Sequence, residues 1–209
     1  MIKAFLFDMD GTLANSEKYY IDGTKACFKQ EGKDVSIDDI KDNIVGVTMD
    51  ATYKYASKVL DVDYYNAKII YDDYFKQHPL NYKDYLYEDS LNVLKTLKQK
   101  GYKLALCTMN EKENVDSFLS NGFEKIFDCI LSYNDKIREK PYPDIYLKAL
   151  EILKLNPNEA IVVEDSLSGI RAGKNAGIYV IATNEAKLNF DLSEADKIIE
   201  NIKELLDYE

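Results

Sequence analysis

Five short apolar runs alternate with amphipathic stretches along most of this 209-residue chain, and that alternation constrains the fold more than any other feature. The runs are KAFLF (Lys3–Phe7), KLALC (Lys103–Cys107), DCILS (Asp128–Ser132), AIVVE (Ala160–Glu164) and YVIAT (Tyr179–Thr183). Each is about the length of a strand and lacks the polar alternation of a sheet with one wet face, so each reads as a strand buried on both sides. Between them, Ser90–Lys100, Glu111–Ser120, Pro143–Leu155 and Leu167–Ala176 carry apolar residues at helical spacing. Strand–helix alternation of this kind predicts an α/β fold, a doubly wound parallel sheet with helices on both faces.

One interval breaks the alternation. From Ser16 to Pro79 no strand pattern occurs, whereas Glu17–Glu31, Thr48–Leu60 and Asp63–Gln77 read as helices and Ser36-Ile-Asp-Asp39 resembles a capping box. The expected organisation is a core made of residues 1–15 and 80–209, interrupted by an all-helical insertion over residues 16–79. The insertion's aromatics, among them Tyr19, Tyr20, Tyr53, Tyr55, Tyr64, Tyr65, Tyr71, Tyr74 and Phe75, are expected to pack as its own small core. His78, the one histidine, reads as a surface loop residue.

Charge excludes several partners. A formal net charge of −10 opposes the phosphate neutralisation on which nucleic-acid binding depends, and it disfavours an anionic membrane surface equally. The apolar run before Asp8 is too short for a signal-peptide core or a membrane span, so a cytoplasmic protein is expected; a monomer is expected as well. Cys27, Cys107 and Cys129 are odd in number and lack metal-ligand or redox spacing, which reads as three reduced, buried thiols.

Ligands of open parallel sheets bind beyond the carboxyl ends of the strands, so the residues just after each run are informative. Asp8 and Asp10 with Gly11-Thr12 follow the first, Thr108-Met109-Asn110 the second, and Glu164-Asp165-Ser166 close the fourth; Lys140-Pro141 precedes that fourth run. A lone D-x-D-G-T is an ordinary turn, and each of the others alone is a cap or a solvated charge. Their joint occurrence at successive strand ends is not. Two carboxylates 4 Å apart repel by ~4 kcal/mol at an effective dielectric near ~20, a penalty that a divalent cation relieves. Carboxylate oxygens without His or Cys suit Mg²⁺, commonly shared with substrate phosphate, with Lys140 and the N–H groups of the Met9–Thr12 turn available for phosphate oxygens. An Asp can then act as nucleophile through an aspartyl-phosphate, with Asp10 protonating the leaving alcohol and later activating water.

These residues resemble the haloacid dehalogenase (HAD) superfamily, specifically its β-phosphoglucomutase-like phosphatases with a helical cap inserted after the first strand. FLFDMDGTLANSE is similar to the family's first motif, LALCTMN to the second, REKPYPDIY to the third and IVVEDSLSGIRAGKNAG to the fourth. The resemblance implies Asp8 as nucleophile and Asp10 as general acid/base. It also implies Thr108, Asn110 and Lys140 as phosphate-binding residues, and Mg²⁺ held by Asp8, the Asp10 carbonyl, Glu164 and Asp165. A phosphatase acting on a small phosphorylated metabolite is the expected function. GVTMDAT (Gly46–Thr52) resembles the cap of the mutases, but Met49 and Tyr20 stand where those proteins carry an arginine and a histidine. No arginine occurs from Ser16 to Pro79, so the remote clamp for a second phosphate that sugar-phosphate isomerisation needs is absent. That isomerase is the alternative; a receiver-like phospho-aspartate signalling domain is a weaker one, because Asp10 and the insertion both oppose it.

Overall fold

The computed structural model describes residues 1–133, 137–188 and 190–208. The chain begins with β1 (Ala4–Phe7) and then forms four helices, α1 (Ser16–Gln30), α2 (Ile37–Ile44), α3 (Met49–Leu60) and α4 (Tyr64–Gln77). It continues through α5 (Ser90–Gln99), β2 (Lys103–Cys107), α6 (Lys112–Leu119), β3 (Cys129–Leu131) and α7 (Asp144–Leu153). β4 (Ala160–Glu164), α8 (Leu167–Asn175), β5 (Tyr179–Thr183) and β6 (Lys197–Ile199) complete it. Two compact units result, Met1–Asn15 with Tyr82–Glu209, and Ser16–Asn81.

Among the described residues of the first unit six strands pair in parallel, in the order β3-β2-β1-β4-β5-β6. β1 is central, and Ala4, Phe5, Leu6 and Phe7 are wholly buried because both faces of the sheet are covered. Alternation along the strands sends Leu6, Ala105 and Val162 into one layer with Ile145 and Ala149 of α7 and Ile170 and Ala172 of α8. Phe5 lies on the other face, where Tyr102 meets it edge-on with centroids 5.1 Å apart. The expected doubly wound sheet is therefore present, with one strand more than the apolar runs indicate. β6 escapes the pattern because only Ile199 of its three residues is buried. It is fixed instead by hydrogen bonding, since Asp196 exchanges bonds with Val180 through its backbone N–H (2.9 Å) and its carboxylate (2.8 Å).

The second unit is helical throughout. Thr48 caps α3 by accepting from Ala51 N, and Asp63 caps α4 by accepting from Tyr65 N and Asn66 N. Ser36 caps α2 through Asp39 N at 3.1 Å. The Asp39 carboxylate, which a capping box would turn back to the Ser36 backbone, accepts from the Tyr55 hydroxyl at 2.6 Å. Tyr19, Tyr55 and Tyr71 form the expected aromatic core, the Tyr71 hydroxyl bonding Thr24 at 2.7 Å, whereas Tyr20 and Tyr65 are exposed. His78 closes α4, stacked on Tyr74 and exposed at its ring. All three cysteines are free and buried. No helix among the described residues is long and apolar enough to cross a membrane.

Candidate active site

The carboxyl edge of the sheet gathers every residue singled out at the strand ends. Asp8 leaves β1 with its N–H still paired to Val163 O (3.0 Å), which sets it beside Glu164 at the end of the neighbouring β4. Gly11 makes the turn that follows: its φ is +77°, a left-handed value that favours glycine, and a Cβ there would lie 1.8 Å from Asp165 Oδ2. Any side chain at position 11 would therefore displace Asp165.

Lys140 reaches the centre of this acidic edge from the loop before α7. Its Nζ donates to Asp8 Oδ1 (2.5 Å), Glu164 Oε1 (2.6 Å) and the Cys107 carbonyl (3.1 Å), so all three ammonium hydrogens are committed to protein oxygens. Glu164 is wholly buried and more heavily engaged still. Oε1 accepts from Lys140 and from the Tyr146 hydroxyl (3.0 Å), while Oε2 accepts from Asp165 N, Ser166 N and Ser166 Oγ at 3.0–3.1 Å. Asp165 Oδ1 accepts a long bond from Thr12 Oγ1 (3.4 Å).

Asp10 is held differently. Its Oδ1 accepts from the Tyr82 hydroxyl at 3.1 Å and its Oδ2 from the Asn110 side-chain amide. The Asn110 amide carbonyl accepts from Asn114 (2.7 Å), and its backbone N–H donates to Thr108 Oγ1 (3.1 Å). Thr108, Asn110 and Lys140 thus lie at one edge with Asp8 and Asp10. In the Met9–Thr12 turn the Gly11 N–H is taken by the Ala14 carbonyl at 2.7 Å, which withdraws it from the expected phosphate donors. Tyr82 and Tyr146, both wholly buried, are site residues to which the strand-end pattern gave no role. Tyr146 is the last residue of REKPYPDIY and was legible by position, whereas Tyr82 sits in no motif.

Ligand oxygens of Asp8, Glu164 and Asp165 lie within 4.8 Å of one another and could hold a metal ion. All the donors are hard carboxylate oxygens, which fit a cation of the Mg²⁺ or Ca²⁺ type. Asp8 spends one oxygen on Lys140 and Asp165 one on Thr12, so these two acids face a cation with an oxygen each, while Glu164 is already saturated by five donors. The Asp10 carboxylate is not part of this cluster, which leaves its backbone carbonyl as the atom expected to contribute.

The charges press on one another. Burial pushes the Asp8 carboxyl up to about 7, with Lys140 pulling it down and Glu164 pushing it up. Burial and then the charges of Glu164 and Asp8 raise Asp165 well above the ordinary carboxylate range. Burial opposes ionisation of Glu164 too, but the Lys140 charge and the hydrogen bonds it receives outweigh burial and leave it low.

The sign of the resulting pH dependence follows by linkage. An unfolded Asp titrates near ~3.9, so between about pH 4 and 7 the folded protein holds protons that the unfolded chain has released, and stability falls as pH rises. The contribution from Glu164 is complete once pH exceeds its unfolded value of ~4.3, and it does not offset the fall. Thermal melts in EDTA should give a lower Tm at pH 8 than at pH 5, and added Mg²⁺ should narrow the gap. A Tm that stays flat or climbs over that range would contradict the description of this edge.

Comparison with known proteins agrees with the geometry. A family model for haloacid dehalogenase-like hydrolases matches residues 5–183. A Saccharomyces cerevisiae protein named as a probable pseudouridine-5'-phosphatase is 30% identical over 98% of this chain and 92% of its own length. A "Phosphorylated carbohydrates phosphatase" from Thermotoga maritima is 27% identical over 98% of this chain and all of its own length. Among solved structures, a Thermotoga maritima protein provisionally named as a β-phosphoglucomutase superposes with a TM-score of 0.79 at 27% identity, covering 99% of this chain and 97% of that one.

Proposed function

The chain belongs to the haloacid dehalogenase-like hydrolase family, and on that premise we propose that it is a Mg²⁺-dependent phosphatase of a small phosphorylated metabolite. The observation that carries the mechanism is the buried group Asp8–Lys140–Glu164 with Asp165 beside it. Asp8 is the nucleophile: an Oδ–P bond forms as the ester P–O bond breaks, and Asp10 gives the leaving oxygen its proton. Asp10 then takes a proton from the water that attacks the aspartyl-phosphate, releasing inorganic phosphate and restoring the Asp8 carboxylate.

Thr108 and Asn110 orient the transferred phosphoryl group, and Lys140 offsets its charge while holding Asp8. Asp8, the Asp10 carbonyl and Asp165 would hold Mg²⁺, with Glu164 beside them. Bound there, such an ion would supply charge neutralisation for the phosphoryl group. Activity should vanish in EDTA and return with Mg²⁺, and Asp165→Ala should shift the Mg²⁺ activation curve to much higher concentration. An unchanged curve would move the ion elsewhere.

In this reading residues 16–79 are a cap that selects the substrate. A cavity of about 260 Å³ within the helical unit is lined by residues including Glu17, Tyr20, Met49, Thr52 and Tyr71, with no lysine or arginine among the described residues that line it. Such a lining suits a hydroxyl-bearing group without a second phosphate, as in a pentose or nucleoside monophosphate. Purified enzyme assayed against sugar phosphates, nucleotides and phosphoglycolate tests the class. β-Glucose 1-phosphate with a trace of the 1,6-bisphosphate separates hydrolysis from isomerisation. We expect inorganic phosphate, and rapid glucose 6-phosphate formation with little phosphate release would make the protein a mutase.

A further inference from the structure

A lysine ammonium is a compact charge on a flexible stem, and in this edge it is shared among two carboxylates and a carbonyl. Where it rests decides how firmly Asp8 is held. We propose that Tyr146 is a positioning residue for the reaction, its hydroxyl fixing Glu164 so that the shared Lys140 ammonium stays on Asp8. The inference rests on the roles proposed above for Asp8 and Lys140.

The geometry is specific. Tyr146 is wholly buried on α7, and its hydroxyl donates to the same Oε1 of Glu164 that accepts from Lys140. Its ring also flanks the ammonium, with Lys140 Nζ 5.3 Å from the centroid. The other carboxylate oxygen is tied by three donors from Asp165 and Ser166, which are the residues next in the chain. Tyr146 is therefore the donor that anchors Glu164 from a different element on the side facing Lys140.

Glu164 is also packed against α8 at Gly169. A Cβ on Gly169 would lie 1.7 Å from Glu164 Oε1, so the helix backbone is packed directly against that oxygen. Without the tyrosine hydroxyl, Oε1 keeps Lys140 as its one donor among the described residues, and the ammonium is drawn from Asp8 toward Glu164. Tyr146 touches neither the substrate nor the reacting atoms in this account. It acts through Glu164 and Lys140, so its effect should fall on kcat.

Tyr146→Phe keeps the ring and removes the hydroxyl. We expect kcat to fall about tenfold, on the scale of one hydrogen bond to a charged group, with KM within twofold of wild type. 4-Aminophenylalanine at position 146, which restores a donor at the same place, should recover most of the loss. In a Lys140→Met background the Phe substitution should cause no further loss of residual turnover, because the group it acts through is gone.

A wild-type kcat in Tyr146→Phe, or an equal loss with and without Lys140, would overturn the proposal and leave Tyr146 as packing. If the Phe variant does not fold, the 4-aminophenylalanine protein decides alone: kcat within threefold of wild type supports the donor role, and a tenfold loss overturns it. Full activity in Asp8→Asn would overturn instead the roles on which the inference rests, an outcome that no result at position 146 imitates.

Discussion

Asp8→Asn should fold as well as the wild type and lose at least about 10⁴-fold in turnover, the scale seen when a covalent nucleophile is removed. The amide matches the carboxylate in size, and its carbonyl oxygen can keep the bond from Lys140 Nζ now made to Oδ1. What it lacks is the electron pair that attacks phosphorus and the charge that would help hold Mg²⁺. Stability should move in the opposite direction. Burial disfavours a charged Asp8 by more than the Lys140 charge favours it, and Glu164 and Asp10 add repulsion, so removing that charge should raise the Tm of the metal-free protein at pH 8. Melting curves and steady-state assays on one preparation check both. A variant of near wild-type activity would sink the nucleophile assignment, and a lower Tm would contradict the charge crowding.

Asp10→Asn should lower kcat on alkyl phosphates by about 10²–10⁴-fold, the usual worth of a positioned general acid/base. The loss should depend on the leaving group. An activated aryl phosphate needs little protonation, so it should still phosphorylate Asp8, and the phosphoenzyme should then persist because no base activates water. Rapid quench of a single turnover with labelled substrate reads this directly. The substitution also has a local cost, since an amide NH₂ turned toward Asn110 would oppose the side-chain amide that now donates to the carboxylate, so the new NH₂ should turn to the Tyr82 hydroxyl, which can accept as well as donate. Relief of that conflict should be confined to those side chains. Wild-type rates on alkyl phosphates, with no trapped phosphoenzyme, would remove Asp10 from proton transfer.

Much of this fold was readable because burial and periodicity coincide in the central strands. β1, β4 and the buried part of β2 are apolar at every position up to their carboxyl ends, so their pattern reports tertiary position as well as local structure. β6 could not be found that way, because it lies at the sheet edge with Lys197 and Ile198 exposed. The candidate acids were readable for a related reason: the chain places polar residues at the end of each buried run, where the sheet edge brings them together. The residues that hold those acids were not. Tyr82 reaches Asp10 from 72 positions away and Tyr146 reaches Glu164 from 18, and neither pairing leaves a local trace in composition or spacing. The capping box at Ser36 failed in half for the same reason, since Asp39 found a partner in Tyr55, sixteen residues on.

The place where the helical segment is spliced into the α/β unit has an evolutionary consequence. Asn15 N donates to Tyr85 O at 2.7 Å and Tyr87 N to Leu13 O at 3.3 Å, so the outgoing and returning chain are stitched together before the insertion begins. Ser90 Oγ adds a further stitch to Leu13 O at 2.8 Å. The catalytic unit thus closes its own seam, and the 66 residues Ser16–Asn81 hang from two anchored ends. Insertions are tolerated where the flanking backbone is already secured. A lineage built on this framework can lengthen, rebuild or exchange the inserted helices while Asp8, Lys140 and Asp165 stay where they are.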